Sequence, residues 1–537
     1  MFFLTQKKIS WQMVCVVSFV LILVTCIPYA YGYFSRPDGH TYSGIDFLTP
    51  GDTNTYLSMI EQVKQGHWSF VNLYTSEEHP RVYVHLLWLL IGLMAKIFSL
   101  SPLVAFHVAR ILLIPVFVYV VVRMLHYLFG GDNRKIVLAL LLICFASGIG
   151  IFVDGFLHNP PESIQHPVDT WVPEAIPFLS MMHSPHYIAS TALLLFSLYW
   201  IMRAFLERRY RFAVYAGICA ALLIATHPFY VPTLYAVAGV WALCVLMKNI
   251  RQNYRVAILY LIYFAISAPV MLYFLWLNNI SIVFHQWSVA NDLASPSPWM
   301  YIFGFGLVIP FAIYGVYRSW PDTKLRFVVY WTVVNIVLLY APFTFQRRLV
   351  EGLFVPLAIL ATVGMYQLFT TIRNRSWHVA VAYVMVLAVF LPLGNIQLIS
   401  QDLFFYSDPN NRYYYYYYPP TGEIEAFEWL KNNTDESAIV LSSSEVGNFL
   451  PAYSGRRVFV GHNPQSIYFG LKVSLAERFF GSEISEDAKK AFLDEWNISY
   501  VVYANRDKQY RGFVEPEGAY LEKVFSTNAA FVYRVVD

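Results

Sequence analysis

The sequence predicts a mainly α-helical, polytopic membrane protein with a small soluble α/β domain at its C-terminal end. Three observations carry this. Of 537 residues, 57% are hydrophobic and 13% are charged, and long apolar runs recur from residue 9 to residue 399. The formal charge of +3 sums two unlike parts: from residue 400 onward there are 13 Lys and Arg against 19 Asp and Glu, which leaves 24 against 15 before it. Beyond residue 420 the long apolar runs give way to short segments with strand and amphipathic-helix periodicity. The expected division is a transmembrane part over 1–400, an aromatic interfacial linker over 401–420 and an extracytoplasmic α/β domain over 421–537.

The first element follows Lys7-Lys8 and runs apolar for roughly 20 residues, longer than a signal-peptide core. It ends in Tyr29, Tyr31, Tyr33 and Phe34 rather than at a small-residue cleavage site, so it reads as a retained span entering from the cytoplasm. All five cysteines, Cys15, Cys26, Cys144, Cys219 and Cys244, fall inside apolar runs, where neither a disulfide framework nor a Cys-based metal site has its spacing.

Residues 81–100 decide the topology. If they cross, the clusters around Arg123, Arg134-Lys135, Arg208-Arg209, Lys248, Arg318 and Arg373 all land outside, against the positive-inside rule. If they form an interfacial or re-entrant helix, every one of those clusters is cytoplasmic. The second pattern predicts eleven crossings, at about 9–34, 103–128, 135–155, 186–206, 211–228, 231–247, 256–277, 299–318, 327–345, 351–371 and 378–399, with the N-terminus inside and the C-terminal domain outside.

On that map the outer face collects the polar residues. The first outer loop, residues 35–102, carries Asp38, Asp46, Asp52, Glu61, Glu77, Glu78 and His79, more acid than a connector needs. The second, residues 156–185, holds His158, Glu162, His166, Asp169, Glu174 and His183, is stiffened by Pro160, Pro161, Pro167, Pro173 and Pro177, and reads as a folded lid. Within the first loop, GDTNTYLSMIEQVKQG (Gly51 to Gly66) sets Asp52 at the start of an amphipathic helix with Leu57, Ile60 and Val63 on one face. Asp52 serves there as a helix cap, as a reactive carboxylate, or as both.

At these residues the chain resembles the C-type glycosyltransferases (GT-C fold), multispanning enzymes that use polyprenyl-phosphate-linked sugars. The resemblance covers most of the chain: a first span, a long outer loop opening with an Asp before an amphipathic helix, a second apolar helix along the membrane, alternating spans and an outer C-terminal domain. Gly51-Asp52-Thr53 with Tyr56 looks like the loop motif whose acid is the catalytic base in that family. Thr53 stands where protein O-mannosyltransferases carry a companion acid. FQRRLVEGLFVPL (Phe345 to Leu357) and LPAYSGRRVFVGH (Leu450 to His462) look like segments of prokaryotic GT-C-like membrane proteins.

The resemblance implies an inverting transfer of a hexose or pentose from a polyprenyl-phosphate donor to a glycan, lipid or protein acceptor outside a prokaryotic cell membrane. Asp52 would be the base, with Asp46, Glu77 and Glu78 in reserve. A donor whose tail stays in the bilayer keeps its phosphate at the interface, where Arg347 and Arg348 at a helix end can form charge-assisted hydrogen bonds. The same pair could instead bond Glu351 or lipid headgroups. Tyr56, His79, His183, His186 and His227 are further candidates for the substrate cavity, the last three standing beside prolines at span ends. A divalent metal, as in the related oligosaccharyltransferases, would draw on Asp154, Glu162, Asp169 and Glu174, although no spacing there is diagnostic.

In the C-terminal part, 423–433 and 485–496 read as helices, 438–442, 458–461 and 498–503 as strands, and 521–536 as a hairpin. No GxxxxGK[ST] loop occurs, so a nucleotide-sugar donor is not expected; the expected partners are the lipid-linked donor, the acceptor and membrane lipids, with no nucleic acid. The six tyrosines from Tyr413 to Tyr418 read as an interfacial aromatic belt. Two further classes remain open: a transporter or flippase for a lipid-linked or anionic substrate, and a noncatalytic membrane scaffold. No internal repeat favours the transporter.

Overall fold

The computed structural model describes residues 11–154, 166–290, 292–411 and 414–536. The chain is mostly helical and falls into two compact units. One comprises Met1–Ile27, Val108–Leu275 and Asp292–Gln401, the other Pro28–His107, Trp276–Asn291 and Asp402–Asp537.

Seven helices among the described residues are long and apolar enough to cross a membrane: Trp11–Phe34, Pro102–Leu128, Pro185–Glu207, Pro228–Lys248, Ile250–Ile280, Gln346–Arg375 and Trp377–Ser407. A bent pair, Pro298–Phe305 with Val308–Ser319, makes an eighth if counted as one span. The expectation of eleven differs at four places. The run at 135–155 ends early as Asn133–Phe145, because Ser147 turns to bond the Leu391 carbonyl and Ile149 that of Phe303. The run at 211–228 forms Tyr210–Thr226, and that at 327–345 forms Thr323–Leu338. At 299–318 the helix breaks by 89° at Gly306, whose φ of +48° an L side chain rarely adopts. Residues 81–100 form Leu86–Ile97, 12 residues and so roughly 18 Å, well short of a hydrocarbon core of about 30 Å.

In the first unit, Phe354–Arg375 is the central helix. Within Gln346–Arg375 the apolar window is 89% buried, against 22% for Ile250–Ile280, which leaves the latter's Leu261, Leu272 and Leu275 exposed. The central helix lies close against Val308–Ser319 because Gly315 and Gly364 face the partner backbones at Leu360 and Phe311, where a Cβ would collide.

The second unit holds a five-stranded sheet, β1 (Ile439–Leu441), β2 (Arg457–Val458), β3 (Tyr500–Ala504), β4 (Leu521–Ser526) and β5 (Ala530–Val535), in the order β2-β1-β3-β5-β4. β1 is parallel to β2 and β3, whereas β5 is antiparallel to β3 and β4. Alternation along the strands makes two cores: Val440, Val502 and Val532 point to one face, Leu441, Val501 and Tyr533 to the other. The first face is completed by Ile45 and Tyr74 from residues 35–102. That segment is also tied to the linker by backbone bonds, Thr41 N–H to Pro419 O and Ser43 N–H to Tyr417 O. Tyr417 and Tyr418 are accordingly buried against Tyr406 rather than displayed as a belt.

Candidate functional site

Candidate residues occur in both units, and each group is described within its own. In the second unit, Pro50–Gln65 is amphipathic as expected, with Leu57, Ile60 and Val63 buried. Its start differs from the expectation. The cap position is Thr49 and Pro50 takes the first turn, where its missing N–H costs nothing, so Asp52 lies inside the first turn and is not the cap. The Asp52 backbone N–H bonds Thr49 O, and its side chain accepts from His462 Nε2 at 2.8 Å. The carboxylate remains one-third exposed, whereas the His462 side chain is only 10% exposed.

The helix start is clamped from Ser444–Ser454. Asn448 Nδ2 donates to Gly51 O, and Asn54 Nδ2 donates to Asn448 Oδ1. Tyr74 Oη donates to Asn448 O, and the Tyr74 ring stands 5.9 Å edge-on from His462. Tyr56 stacks on Trp88 at 4.8 Å, joining Pro50–Gln65 to Leu86–Ile97. Asp46, only 2% exposed, accepts from Tyr29 Oη at 2.9 Å and from the Leu48 N–H. Asp402 lies against the same turn and takes the Phe47 N–H.

The remaining acids of this loop are engaged in structure. Glu77 pairs at 2.8 Å with Lys472, a fully buried ammonium that also bonds Ser76 and lies over the Phe459 and Trp496 rings. Burial pulls the Lys472 ammonium below its usual range, opposed by Glu77. Glu78 is exposed. His79 takes the Asn72 N–H at Nε2 and bonds Glu77 O through Nδ1, and burial lowers its pKa. Both His79 nitrogens are thus engaged within the loop.

In the first unit, Arg347 and Arg348 lie on a 3₁₀ turn, Gln346–Val350. Both are half-buried. The Arg347 guanidinium stands 4.5 Å from the Trp171 ring centre and that of Arg348 stands 4.9 Å from Phe229. Stacked on a ring, a guanidinium keeps its N–H edge available for an anion. Arg347 Nε has no hydrogen-bond partner among the described residues. The turn is fastened by Asn335 Nδ2 to Leu349 O and by Gln346 Nε2 to Ala341 O.

Glu351 closes this turn. It is fully buried, accepts from Ser190 Oγ at 2.5 Å and Thr191 Oγ1 at 2.8 Å, and lies 3.7 Å from His227 Nδ1. His186 lies tilted against Tyr187 at 3.8 Å, stands 5.6 Å from His227 and bonds Ser184 through Nδ1. His183 stacks on Tyr187. The three Pro-flanked histidines are thus gathered around Tyr187 and Glu351 and are almost fully buried.

Of the residues weighed for a metal, Glu162 lies outside the described residues, as does His158. Asp169 takes the Gly150 N–H and, with Thr170, Gln397 and Gln401, lines a small polar cleft. Among the described residues no three His, Cys, Asp or Glu side chains are arranged to hold a metal ion.

No protein-family model matches the chain and no curated protein matches it. Solved structures do match. The archaeal oligosaccharyltransferase AglB from Archaeoglobus fulgidus, in complex with an inhibitory peptide and a dolichol-phosphate, aligns over 93% of this chain and 70% of its own, with a TM-score of 0.57 at 13% identity. ArnT from Cupriavidus metallidurans, bound to undecaprenyl phosphate, aligns over 98% of both chains with a TM-score of 0.51 at 11% identity. The arabinofuranosyltransferase AftD from Mycobacteria covers 99% of this chain with 42% of its own, with a TM-score of 0.53 at 14% identity. These are GT-C structures, and the chain has the GT-C fold. At such identities the likeness is one of fold.

Proposed function

We propose that the chain is an integral membrane glycosyltransferase that moves a sugar from a polyprenyl-phosphate donor to an extracytoplasmic glycan, lipid or protein acceptor, with inversion at the anomeric carbon. Asp52 is the base. It takes the proton of the acceptor hydroxyl as that oxygen bonds the anomeric carbon and the bond to the phosphate oxygen breaks, releasing polyprenyl phosphate. Arg347 and Arg348 bind the donor phosphate and stabilise the charge it gains on leaving.

The observation that carries this reading is the Asp52 carboxylate, held by a buried His462 yet one-third exposed, on the first-loop helix of a GT-C fold. Lipid phosphates bound by AglB and ArnT support the donor class. The Arg347 guanidinium, braced on Trp171 with an Nε lacking a partner among the described residues, supports the phosphate role.

Transfer of radiolabelled sugar from polyprenyl-phosphate donors into membranes tests the assignment. Asp52→Asn is expected to lower transfer by about 10²-fold or more while donor binding persists. Arg347→Ala is expected to raise the donor KM about tenfold. Equal transfer by wild type and both variants would remove these residues from the mechanism. The helix broken at Gly306 favours a second reading, a transporter, since interrupted helices line transport sites. Donor movement across the membrane without bond cleavage would select it.

A further inference from the structure

We propose that His462 is the positioning residue for Asp52, fixing the carboxylate in the orientation that proton transfer requires. This rests on the reading of Asp52 as the base. The two side chains are 410 positions apart in sequence and 2.8 Å apart in space. A carboxylate oxygen can only accept, so His462 Nε2 carries the proton and donates it to Asp52 Oδ1.

The remaining surroundings point the same way. The ring is buried, and Nδ1 has no hydrogen-bond partner among the described residues. The bond to Asp52 is the one the described residues provide to this ring. His79, by contrast, engages both nitrogens.

The backbone around His462 is fixed independently of its ring. Ser466 Oγ accepts from the N–H groups of Gly461 and His462 and donates to Tyr74 O, while the Gln465 and Ser466 N–H groups bond His462 O. Asn448 holds Gly51 O one residue before Asp52. Both ends of the pair are therefore anchored, and the imidazole bridges them. Losing it removes this hold on the carboxylate without dismantling the loop, and misplacement of a base by about 1 Å costs on the order of 10²-fold in rate.

The test uses the full-length protein in membranes, radiolabelled undecaprenyl-phosphoryl hexoses and pentoses as probes, and two substitutions of related chemistry. In His462→Gln the amide nitrogen reaches the place of Nε2 and can still donate to Asp52. In His462→Asn it stands at the place of Nδ1 and cannot. The inference expects His462→Asn to lower kcat about 10- to 100-fold with donor KM nearly unchanged, His462→Gln to recover most of that loss, and His462→Asn to add little in an Asp52→Asn background. Equal losses in the Gln and Asn variants would make His462 a structural residue and overturn the inference. Wild-type kcat in both, with Asp52→Asn inactive, would overturn it while leaving Asp52 as the base. Full activity of Asp52→Asn would overturn the underlying reading as well.

Discussion

Glu423 shows how a single buried acid can tie stability to pH. It has no exposed surface, takes a hydrogen bond from Tyr415 Oη at 2.8 Å and lies 3.3 Å from Arg506 Nε. Burial pushes its carboxyl from 4.5 up to about 7, against the pull of Arg506 in the other direction. The folded state therefore holds a proton that the unfolded chain has released. The contribution is fully present below pH 4.5 and is lost as pH rises through 7, amounting to about 3 kcal/mol. The melting temperature of the detergent-purified protein is expected to fall between pH 5 and pH 8 by an amount that Glu423→Gln reduces. An identical pH dependence in the variant would count against this. At the same scale, the sequence marks Asp52 as an acid at the start of an amphipathic stretch but leaves a helix cap and a reactive carboxylate equally open. It does not mark His462 as the partner, because a contact across 410 residues leaves no periodicity or spacing to read.

At the scale of elements, the 3₁₀ turn Gln346–Val350 depends on Glu351 for its attachment to Pro185–Glu207, through Ser190 and Thr191. Glu351→Ala removes the acceptor of the Thr191 hydroxyl and leaves Ser190 Oγ with the His186 carbonyl alone as its close acceptor, and the turn bearing Arg347 and Arg348 loses its anchor. The donor KM is expected to rise at least about fivefold, whereas Glu351→Gln, which keeps an acceptor oxygen at the same reach, should stay near wild type. Equal donor KM values in the two variants would detach Glu351 from the arginine turn. The sequence leaves open a pairing of Arg347 and Arg348 with Glu351; in the structure the Glu351 carboxyl meets the Ser190 and Thr191 hydroxyls and stands 3.7 Å from His227 Nδ1. In the sheet region the sequence gives Thr421–Asn433, Glu486–Glu495 and every strand to within a few residues. It hides Ser444–Ser454, where Gly447, Asn448 and Pro451 carry the composition of a loop and tertiary packing overrides local propensity.

For the whole molecule, periodicity and hydropathy identified the class, and the charge pattern kept residues 81–100 out of the list of spans. Hydropathy could not show where helices end. Asn133–Phe145 stops because its next residues bond to Leu391 and Phe303, and such distant partners are invisible to a window along the chain. Nor could composition show that residues 35–102 and the C-terminal region share a core. Ile45 and Tyr74 complete the apolar face that also contains Phe427, Val440, Phe449 and Val532. Residues 421–537 expressed alone are therefore expected to lack stable tertiary structure, visible as poor dispersion in an amide NMR spectrum. A well-dispersed spectrum would show that the domain closes its core unaided.

The central claim is that the GT-C fold of this chain performs sugar transfer from a lipid phosphate with Asp52 as base. It is tested most directly by incubating the purified protein in liposomes with polyprenyl-phosphate sugars and membrane acceptors, and measuring polyprenyl phosphate released against sugar transferred. Equimolar release and transfer by the wild type, lost in Asp52→Asn at unchanged donor binding, is the predicted result. Undiminished release and transfer by Asp52→Asn would contradict it.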